Sequence, residues 1–435
     1  MIYKTSKYNI LLNKQRPYLL FNTLRLSLSE IEPDMVDTIK NLLSSDKIDE
    51  NNNPSLVNKL RDNGFVVPAD FNELDYLKLA YFKTKFSPEI LDLVIFVTKA
   101  CNFKCSYCFE NISNAEYLTD EKIQSLIKFV EERIKKSTTL FINWFGGEPL
   151  LNFKVIEKLS EHFINLCEKY DSRYAACMST NGYLLTPKIV DKFPRLKIER
   201  IQTTLDGPRE IHDRRRLLKD GGPTYDVILN NIRYIMKNNI PVKISIRCNI
   251  DQENIDYLTG WLEEFPDDLR NKIPIYFAPA TPGGEENCAA ADRKELCMDG
   301  KESSEIIPEL MSFAIKQGLL GDFDMQRRNI YCIRDKANQF VIGSDCSLYS
   351  CPVGLDKIGN INQNGELELD TNKHLQWLSK DPLSDNACKE CKLLPLCFGG
   401  CNLVRVRTGR KGCIILKYNT DNWIRLLHKN KVISA

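Results

Sequence analysis

The amino-acid sequence predicts an α/β protein in which helices cover a parallel sheet. From residue 92 to about residue 300, apolar runs of strand length alternate with amphipathic helical patterns, and polar motifs follow directly on four of these runs. Repeated strand–helix units imply parallel strands, in a sheet that is either open or curled into a barrel. A third observation is that the cysteines cluster in two parts of the chain, which indicates that the protein binds metal.

The predicted strands are short runs of strand length, and the most apolar of them lies in "LDLVIFV" at 91–97. The predicted strands are 92–98, 139–144, 174–179, 199–205, 243–250 and 273–278. The helices predicted between them are 119–136, 152–169, 186–193, 224–238 and 253–265. Because ligands bind at the carboxyl ends of parallel strands, the motifs "CNFKCSYC", "FGGEP", "STNG" and "TLDGP" should meet in one site.

Composition and charge exclude several classes of protein. The 435 residues are 27% charged and 43% apolar with a net charge of +2, which gives no reason to expect nucleic acid or an anionic membrane as a partner. The apolar runs are too short for a membrane helix, and the N-terminus lacks the pattern of a signal peptide. We therefore expect a cytoplasmic protein, in which the 16 cysteines are metal ligands or buried apolar residues rather than disulfides.

The distribution of cysteines also divides the chain, since none occurs before Cys101. The cysteine-free N-terminus alternates β-like runs with the helical patterns "IEPDMVDTIKNLL" and "PSLVNKLRDNG", and its mixed charges argue against DNA binding. The sequence thus predicts a winged-helix-like module, a parallel-sheet domain, a bridging region and a cysteine-rich domain, at 1–88, 89–300, 301–329 and 330–435.

The first cysteine cluster consists of Cys101, Cys105 and Cys108 in the spacing Cys-x3-Cys-x2-Cys. Three thiolates can hold three irons of a [4Fe–4S] cube and leave the fourth iron open, whereas a structural zinc needs four ligands. An open iron can bind a substrate or cofactor. The alternative is an ordinary cluster or a zinc ion whose fourth ligand comes from elsewhere in the chain.

This cysteine motif, with Tyr107 before its last cysteine, resembles the signature of radical S-adenosylmethionine (SAM) enzymes. The resemblance implies a partial (β/α)6 barrel, similar to a TIM barrel, and a SAM molecule bound to the open iron by its amino and carboxylate groups. It also implies reductive cleavage of SAM to methionine and a 5′-deoxyadenosyl radical, which takes a hydrogen atom from the substrate.

The "FGGEP" segment resembles the GGE motif of the same family. The resemblance implies that Gly146 and Gly147 let the main chain approach the methionine part of SAM. It also implies that Glu148 takes up the ammonium charge. The alternative interpretation of two adjacent glycines is an ordinary turn.

Two further segments resemble SAM-binding loops of the family. The resemblance of "STNG" implies that Ser179 and Asn181 lie near the ribose and carboxylate of SAM. The resemblance of "TLDGP…HDRRR" implies that Thr204 and Arg216 contact SAM, with Arg216 at its carboxylate. The alternatives are an Asn-Gly turn and, for Arg215 and Arg216, solvated surface charge.

The C-terminal cysteines resemble the spacing of the SPASM domain, which carries two auxiliary [4Fe–4S] clusters. The resemblance implies three [4Fe–4S] clusters in all. One auxiliary cluster would be held by Cys388, Cys391, Cys397 and Cys413, and the other by Cys332, Cys351 and Cys401. A zinc ribbon is the alternative for the Cys-x2-Cys pair.

Cys346 stands where the SPASM pattern has a glycine. We expect it either to complete the second of these ligand sets or to leave that cluster with an open iron that holds a substrate thiolate. The cysteines outside the motifs are predicted to be core residues, at Cys167, Cys177 and Cys248, or parts of a lid or bridge, at Cys288 and Cys297.

The N-terminal module loosely resembles the recognition element with which peptide-modifying radical SAM enzymes bind the leader of a precursor peptide by strand addition. The sequence therefore predicts an oxidoreductase that installs a cross-link, a thioether first and a carbon–carbon bond next, in a ribosomally made peptide. A flavodoxin or ferredoxin would supply electrons.

Two alternatives to this function remain. The first is an anaerobic sulfatase-maturing enzyme, which makes formylglycine; Gln326 and Pro352 weaken it, since that family has Cys and Asp at these positions. The second is a non-catalytic zinc-binding scaffold, against which the loop motifs argue.

Overall fold

The computed structural model describes residues 1–110, 116–280, 295–319 and 328–430. The chain divides into two compact units, the first made of Met1–Phe86, Phe323–Asp335 and Leu378–Ala435, and the second of Ser87–Asp322 and Lys336–Trp377. These units group the chain differently from the four segments predicted from the sequence, which stay predictions. Cys288 and Gln326 lie outside the described residues. None of the helices among the described residues is long and apolar enough to cross a bilayer.

The N-terminal part of the first unit consists of short antiparallel strands and three helices within the described residues. The strands β1–β6 are Ile2–Thr5, Asn9–Leu12, Tyr18–Asn22, Ser27–Ile31, Ile48–Asp49 and Val66–Pro68. They pair in the orders β5-β1-β6 and β2-β3-β4. The helices α1–α3 are Val36–Leu43, Pro54–Asp62 and Glu73–Phe86. The winged-helix comparison for this part stays a prediction.

Local sequence explains why α2 begins and ends where it does. The side chain of Asn53 accepts a hydrogen bond from the main-chain N–H of Leu56, and Pro54 occupies the first helical turn, where no N–H is needed. Gly64 follows the helix with φ +72°, a left-handed conformation that favours glycine. The helix then packs Val57 and Leu60 into the core of this part.

The second unit is built on a sheet that runs through ten strands of the described chain. The strands β7–β16 are Ile90–Phe96, Thr139–Phe145, Arg173–Ser179, Ile198–Thr204, Lys243–Ile250, Ile275–Pro279, Gln339–Ile342, Ser347–Tyr349, Lys357–Ile361 and Leu367–Leu369. Their spatial order is β12-β11-β10-β9-β8-β7-β13-β14-β15-β16. Strands β7 to β12 are mutually parallel, β13 adds to β7 in parallel, and β14 to β16 continue as an antiparallel meander.

Helices connect the parallel strands, as the alternating pattern predicts. The helices α4–α11 are Asp120–Ile134, Phe153–Lys169, Pro187–Val190, Arg209–Arg215, Tyr225–Lys237, Leu258–Glu263, Gly300–Lys316 and Thr371–Leu378. In α5 the buried residues Ile156, Leu159 and Phe163 recur every three to four positions and form one apolar face. Cys167 and Cys248 are buried, which confirms their predicted place in the core, while Cys177 is only partly buried.

The C-terminal part of the first unit is a series of short helices. These helices, α12–α15, are Asn386–Lys389, Leu394–Cys397, Asn402–Thr408 and Thr420–Lys429. Tight turns separate them, with positive φ at Phe398, Gly399 and Gly400. Tyr81 of α3 stacks on Phe398 with 5.8 Å between ring centroids, so the N-terminal and C-terminal segments of this unit share one core.

Candidate functional site

The first cysteine cluster lies at the carboxyl end of β7. Its loop pairs with the segment after α7, since the N–H of Lys104 donates to the carbonyl of Leu217 and that of Ser106 to the carbonyl of Arg215, both at 2.9 Å. An isolated bridge between Phe103 and Leu218 extends this pairing. The main chain therefore holds the cysteine loop against the "HDRRR" segment.

The three thiols of this loop lie near one another and are partly buried. Burial raises the pKa of the Cys101 thiol to about 12, and the neighbouring Cys105 and Glu148 add to the rise. The pKa of Cys108 is also raised, first by burial and then by the charge of Cys105. Because such thiolates repel one another, they need a cationic centre to share, and an iron–sulfur cluster supplies one.

The donor set therefore fits a [4Fe–4S] cluster. No three His, Cys, Asp or Glu side chains in the described ranges are close enough to hold a single metal ion. A cube keeps its cysteine sulfurs farther apart than one tetrahedral ion does.

Gly146 and Gly147 pack against the main chain that leads into the cysteine loop. A Cβ atom on Gly146, where φ is +135°, would lie 2.2 Å from the carbonyl oxygen of Thr98. A Cβ atom on Gly147 would lie 2.5 Å from the carbonyl oxygen of Ala100 and 2.6 Å from that of Lys99. Only glycine fits at either position, so these residues are needed for close approach between loops and not merely for a turn.

Glu148 is fully buried and joins three loops. One carboxylate oxygen accepts from the Thr180 hydroxyl at 2.8 Å, and the other from the main-chain N–H of Asn181 at 2.7 Å. Its own N–H donates to the carbonyl of Ala100 at 2.9 Å. Burial raises the pKa of Glu148 to about 7, although these hydrogen bonds lower it. Its predicted contact with the SAM ammonium stays a prediction.

Asn181 continues this connection towards the cysteines. Its amide nitrogen donates to the Asn102 side chain at 2.8 Å and lies 3.9 Å from the Cys101 sulfur. Ser179 and Thr204 occupy the last positions of β9 and β10, at the same edge of the sheet. The four motifs predicted to converge therefore meet at one end of the parallel strands.

Arg215 and Arg216 are buried, with 3% and 7% of their surface exposed, so the interpretation as solvated charge is wrong. Arg216 donates to the Tyr107 hydroxyl at 2.5 Å. Burial alone lowers the pKa of Arg216, but the neighbouring Cys105, Tyr107 and Asp206 raise it well above its usual value. Arg216 thus places a permanent positive charge beside the cysteine loop.

Several residues to which sequence reasoning gave no role complete this network. The carboxylate of Asp206 accepts from the Tyr107 hydroxyl and, at 2.8 Å, from the N–H of Asn249. Arg215 forms a bidentate pair with Asp251 at 2.6 and 2.9 Å. The sequence did contain a sign that these two carboxylates are functional, since Asp206 lies in "LDGP" and Asp251 directly follows a predicted strand. Their pairing, however, links distant segments that periodicity does not connect.

The family-assigned ligands of one auxiliary cluster line a single cavity in the first unit. The cavity is bordered by Cys388, Cys391, Cys397 and Cys413 together with apolar side chains and two lysines. Burial raises the pKa of Cys397 to about 11, with a further rise from Cys413 and Cys391. The four thiols thus border one cavity although they come from different turns of the chain, and the [4Fe–4S] cluster that they would share stays a prediction.

The other predicted ligand set is distributed over both units. Cys332 and Cys401 belong to the first unit, where both contribute to the rise in the pKa of Tyr331 to about 12, after burial. Cys351 belongs to the second unit, just after β14. Their shared cluster stays a prediction.

Cys346 directly precedes β14, and its side chain is fully buried. Its thiol donates to the main-chain carbonyl of Lys122 in α4 at 3.6 Å, and burial raises its pKa to about 11. Strand β14 lies between Cys346 and Cys351. The thiol thus has a partner in the core of the second unit, and the ligand role predicted for Cys346 stays a prediction.

Comparisons with known proteins agree with this site. Residues 95–265 match the family model described as the radical SAM superfamily. The radical SAM cyclopropyl synthase TigE of Paramaledivibacter caminithermalis is 22% identical over 91% of this chain and 89% of its own length. A cysteine-type anaerobic sulfatase-maturating enzyme of Clostridium perfringens is 25% identical over 73% of this chain and 90% of its own.

Solved structures show the same fold. The structure described as native anSMEcpe with bound AdoMet and Cp18Cys peptide is 20% identical and has a TM-score of 0.58, with 80% of this chain and 100% of that chain covered. Streptococcus suis SuiB is 14% identical with a TM-score of 0.50, over 94% of this chain and 98% of its own.

The fold and the site together define a radical SAM domain. This chain is a radical SAM enzyme, and it resembles family members that modify peptides or proteins.

Replacing Gly147 by Ala should lower the rate of SAM cleavage about a hundredfold, because the added Cβ must push the main chain of the cysteine loop out of place. The measurement is 5′-deoxyadenosine release from SAM under anaerobic, reducing conditions. Gly260→Ala is the matched control, since a Cβ at this helical position meets nothing within 4 Å. A wild-type rate in Gly147→Ala would show that the close approach is not needed.

Replacing Cys346 by Ala should leave the iron and sulfide content unchanged and reduce the free energy of unfolding by about 1 kcal/mol, because the thiol is a core group. Cys351→Ala should instead lose about four irons per chain. Both variants are compared by iron and sulfide analysis after anaerobic reconstitution. Equal iron loss in the two variants would show that Cys346 is a cluster ligand.

Proposed function

We propose that this chain is a radical SAM maturase that forms a bond within a ribosomally made peptide and that carries two auxiliary [4Fe–4S] clusters. The observation that carries the proposal is the extent of the match to TigE. The unmatched remainder of this chain is shorter than the segment Met1–Phe86, so the match extends into the N-terminal part. A match of this extent supports a whole enzyme of the same architecture and not only a shared core.

The residues of the second unit fit the binding of SAM and its cluster. Cys101, Cys105 and Cys108 would hold the cluster, and Arg216 would supply a positive charge close to it. Glu148 ties the loops after β8 and β9 to the cysteine loop, which fixes the relative positions of their SAM-binding groups. When bound, SAM and its cluster supply a carbon radical that removes a hydrogen atom from the peptide.

Bond formation in the peptide is an oxidation that removes two hydrogens. One leaves as the hydrogen atom that the radical takes, and the other leaves as a proton and an electron. That electron needs an acceptor, and the cavity bordered by Cys388, Cys391, Cys397 and Cys413 supports an iron–sulfur cluster in this role. A flavodoxin or ferredoxin remains the predicted donor for SAM cleavage.

Similarity to a cyclopropyl synthase supports a carbon–carbon bond as the product. The thioether predicted from the sequence is the second candidate, because the contact of Cys346 with helix α4 leaves three cysteines for the other auxiliary cluster and therefore an open iron. Maturation of a sulfatase is less well supported, since the relatives of that class match 55–73% of this chain, against 91% for TigE.

The N-terminal part offers an edge strand on which a peptide leader can pair. Strands β2 and β4 are the edges of the sheet β2-β3-β4. The β2 edge is approached by the chain around Phe65, whose carbonyl accepts from the Asn9 side chain at 2.7 Å. Strand β4 contains no proline and runs for five residues, so it is the edge that we propose for strand addition.

Addition of a precursor peptide with its leader should slow amide hydrogen exchange in Ser27–Ile31, because a paired edge strand loses its solvent-exposed N–H groups. Exchange in Asn9–Leu12 should not change, and this strand serves as the internal control. Protection of β2 alone, or of neither strand, would contradict docking on β4.

Anaerobic reconstitution should yield about twelve irons per chain together with reductive cleavage of SAM. Cys391→Ala should lose about four of these irons, whereas the control Cys177→Ala should lose none, because the structure places Cys391 but not Cys177 at the cavity. Zinc in place of iron and no SAM cleavage would contradict the proposed function.

The product is identified by mass spectrometry of the treated peptide. A cross-link removes two hydrogens; a thioether also consumes a thiol and blocks alkylation, whereas a carbon–carbon bond does not. Loss of sulfur from a cysteine would instead indicate formylglycine.

A further inference from the structure

Two cationic side chains contact the sulfurs that border the cavity of the first unit. The guanidinium Nη2 of Arg405 lies 3.3 Å from the Sγ of Cys388, and the Nζ of Lys417 lies 3.6 Å from the Sγ of Cys413. Both distances are within the range of hydrogen bonds to sulfur. Two of the four proposed ligands therefore accept hydrogen bonds from positively charged donors.

The position of Arg405 is constrained on several sides. Its Nε donates to the carbonyl of Gly399 at 2.9 Å, which leaves Nη2 directed at Cys388. Gly399 has φ +84°, and a Cβ at this position would lie 2.6 Å from Nη2. The turn after α13 thus makes room for the guanidinium, and Arg405 is held by two hydrogen bonds while it is only partly exposed.

Lys417 is held less firmly. It lies four residues after Cys413, in the turn Ile415–Tyr418, and its side chain is exposed to solvent. Lys411 also borders the cavity, but its ammonium pairs with Asp385 at 3.4 Å. Screening by solvent makes the effect of Lys417 on the sulfur weaker than that of Arg405.

We propose that Arg405, assisted by Lys417, raises the reduction potential of the auxiliary [4Fe–4S] cluster on Cys388, Cys391, Cys397 and Cys413. This inference rests on the proposed function, which places a cluster there. One-electron reduction adds a negative charge to the cluster and its thiolates. Charged donors on the sulfurs stabilise the reduced form more than the oxidised form, so the cluster becomes a better electron acceptor.

The test is a redox titration of the full chain, monitored by electron paramagnetic resonance. Cys101, Cys105 and Cys108 are replaced by Ala, so that only the auxiliary clusters are titrated. At the potential that half-reduces the parent cluster, Arg405→Gln should lower the ratio of reduced to oxidised cluster about tenfold, which equals about 59 mV for a one-electron couple. Lys417→Gln should lower it about two- to threefold, since its donor is exposed.

Arg410→Gln is the matched control, because it removes the same charge from an exposed side chain of the same segment. An unchanged potential in both Arg405→Gln and Lys417→Gln, with full iron content, would overturn the proposal. So would a shift in Arg410→Gln as large as that in Arg405→Gln, because it would reflect overall charge.

Iron analysis separates this inference from the proposed function. If the parent assembles no cluster on these cysteines, both fail; if the cluster assembles and its potential does not respond, only the role of Arg405 fails. Should Arg405→Gln fold poorly, Lys417→Gln decides, since an exposed side chain can be changed without disturbing the core.

Discussion

A buried carboxylate holds the SAM loops in register with one another. Glu148 accepts hydrogen bonds from the loop after β9, and its N–H donates to the chain entering the cysteine loop. A charge without solvent is costly, and the pKa of about 7 reflects that cost. The ammonium group of SAM, if bound nearby as the family resemblance implies, would lower that pKa again. Loop geometry and ligand charge are therefore coupled through one side chain.

Charge balance is the common theme of the cluster sites. In the second unit Arg216 lies against Tyr107 near the cysteine loop, and Arg215 is neutralised by Asp251. In the first unit Arg405 and Lys417 contact cysteine sulfurs directly. Thiolates gathered around one cluster carry excess negative charge, so cations at hydrogen-bonding distance stabilise the group and also influence its redox chemistry.

The alternation of strand-like runs with amphipathic helical patterns located the parallel strands to within a few residues. It did not reveal β13 to β16, which are short. Of these strands, β13 pairs with β7, which lies more than two hundred residues away in the sequence, and β14 to β16 continue from β13. It also missed Asp206, because the partners Tyr107 and Asn249 come from other loops. Pairing between distant segments produces no periodic pattern in the sequence.

The sequence by itself indicated the class of chemistry, because the three cysteines of one loop and the glycines after β8 together resemble the motifs of the radical SAM family. Only the tertiary structure decided that Arg215 and Arg216 are buried and that Cys346 contacts helix α4. Spacing records which residue types are near one another along the chain. Whether a side chain faces solvent, a helix or another cysteine depends on packing between segments that are far apart in the sequence.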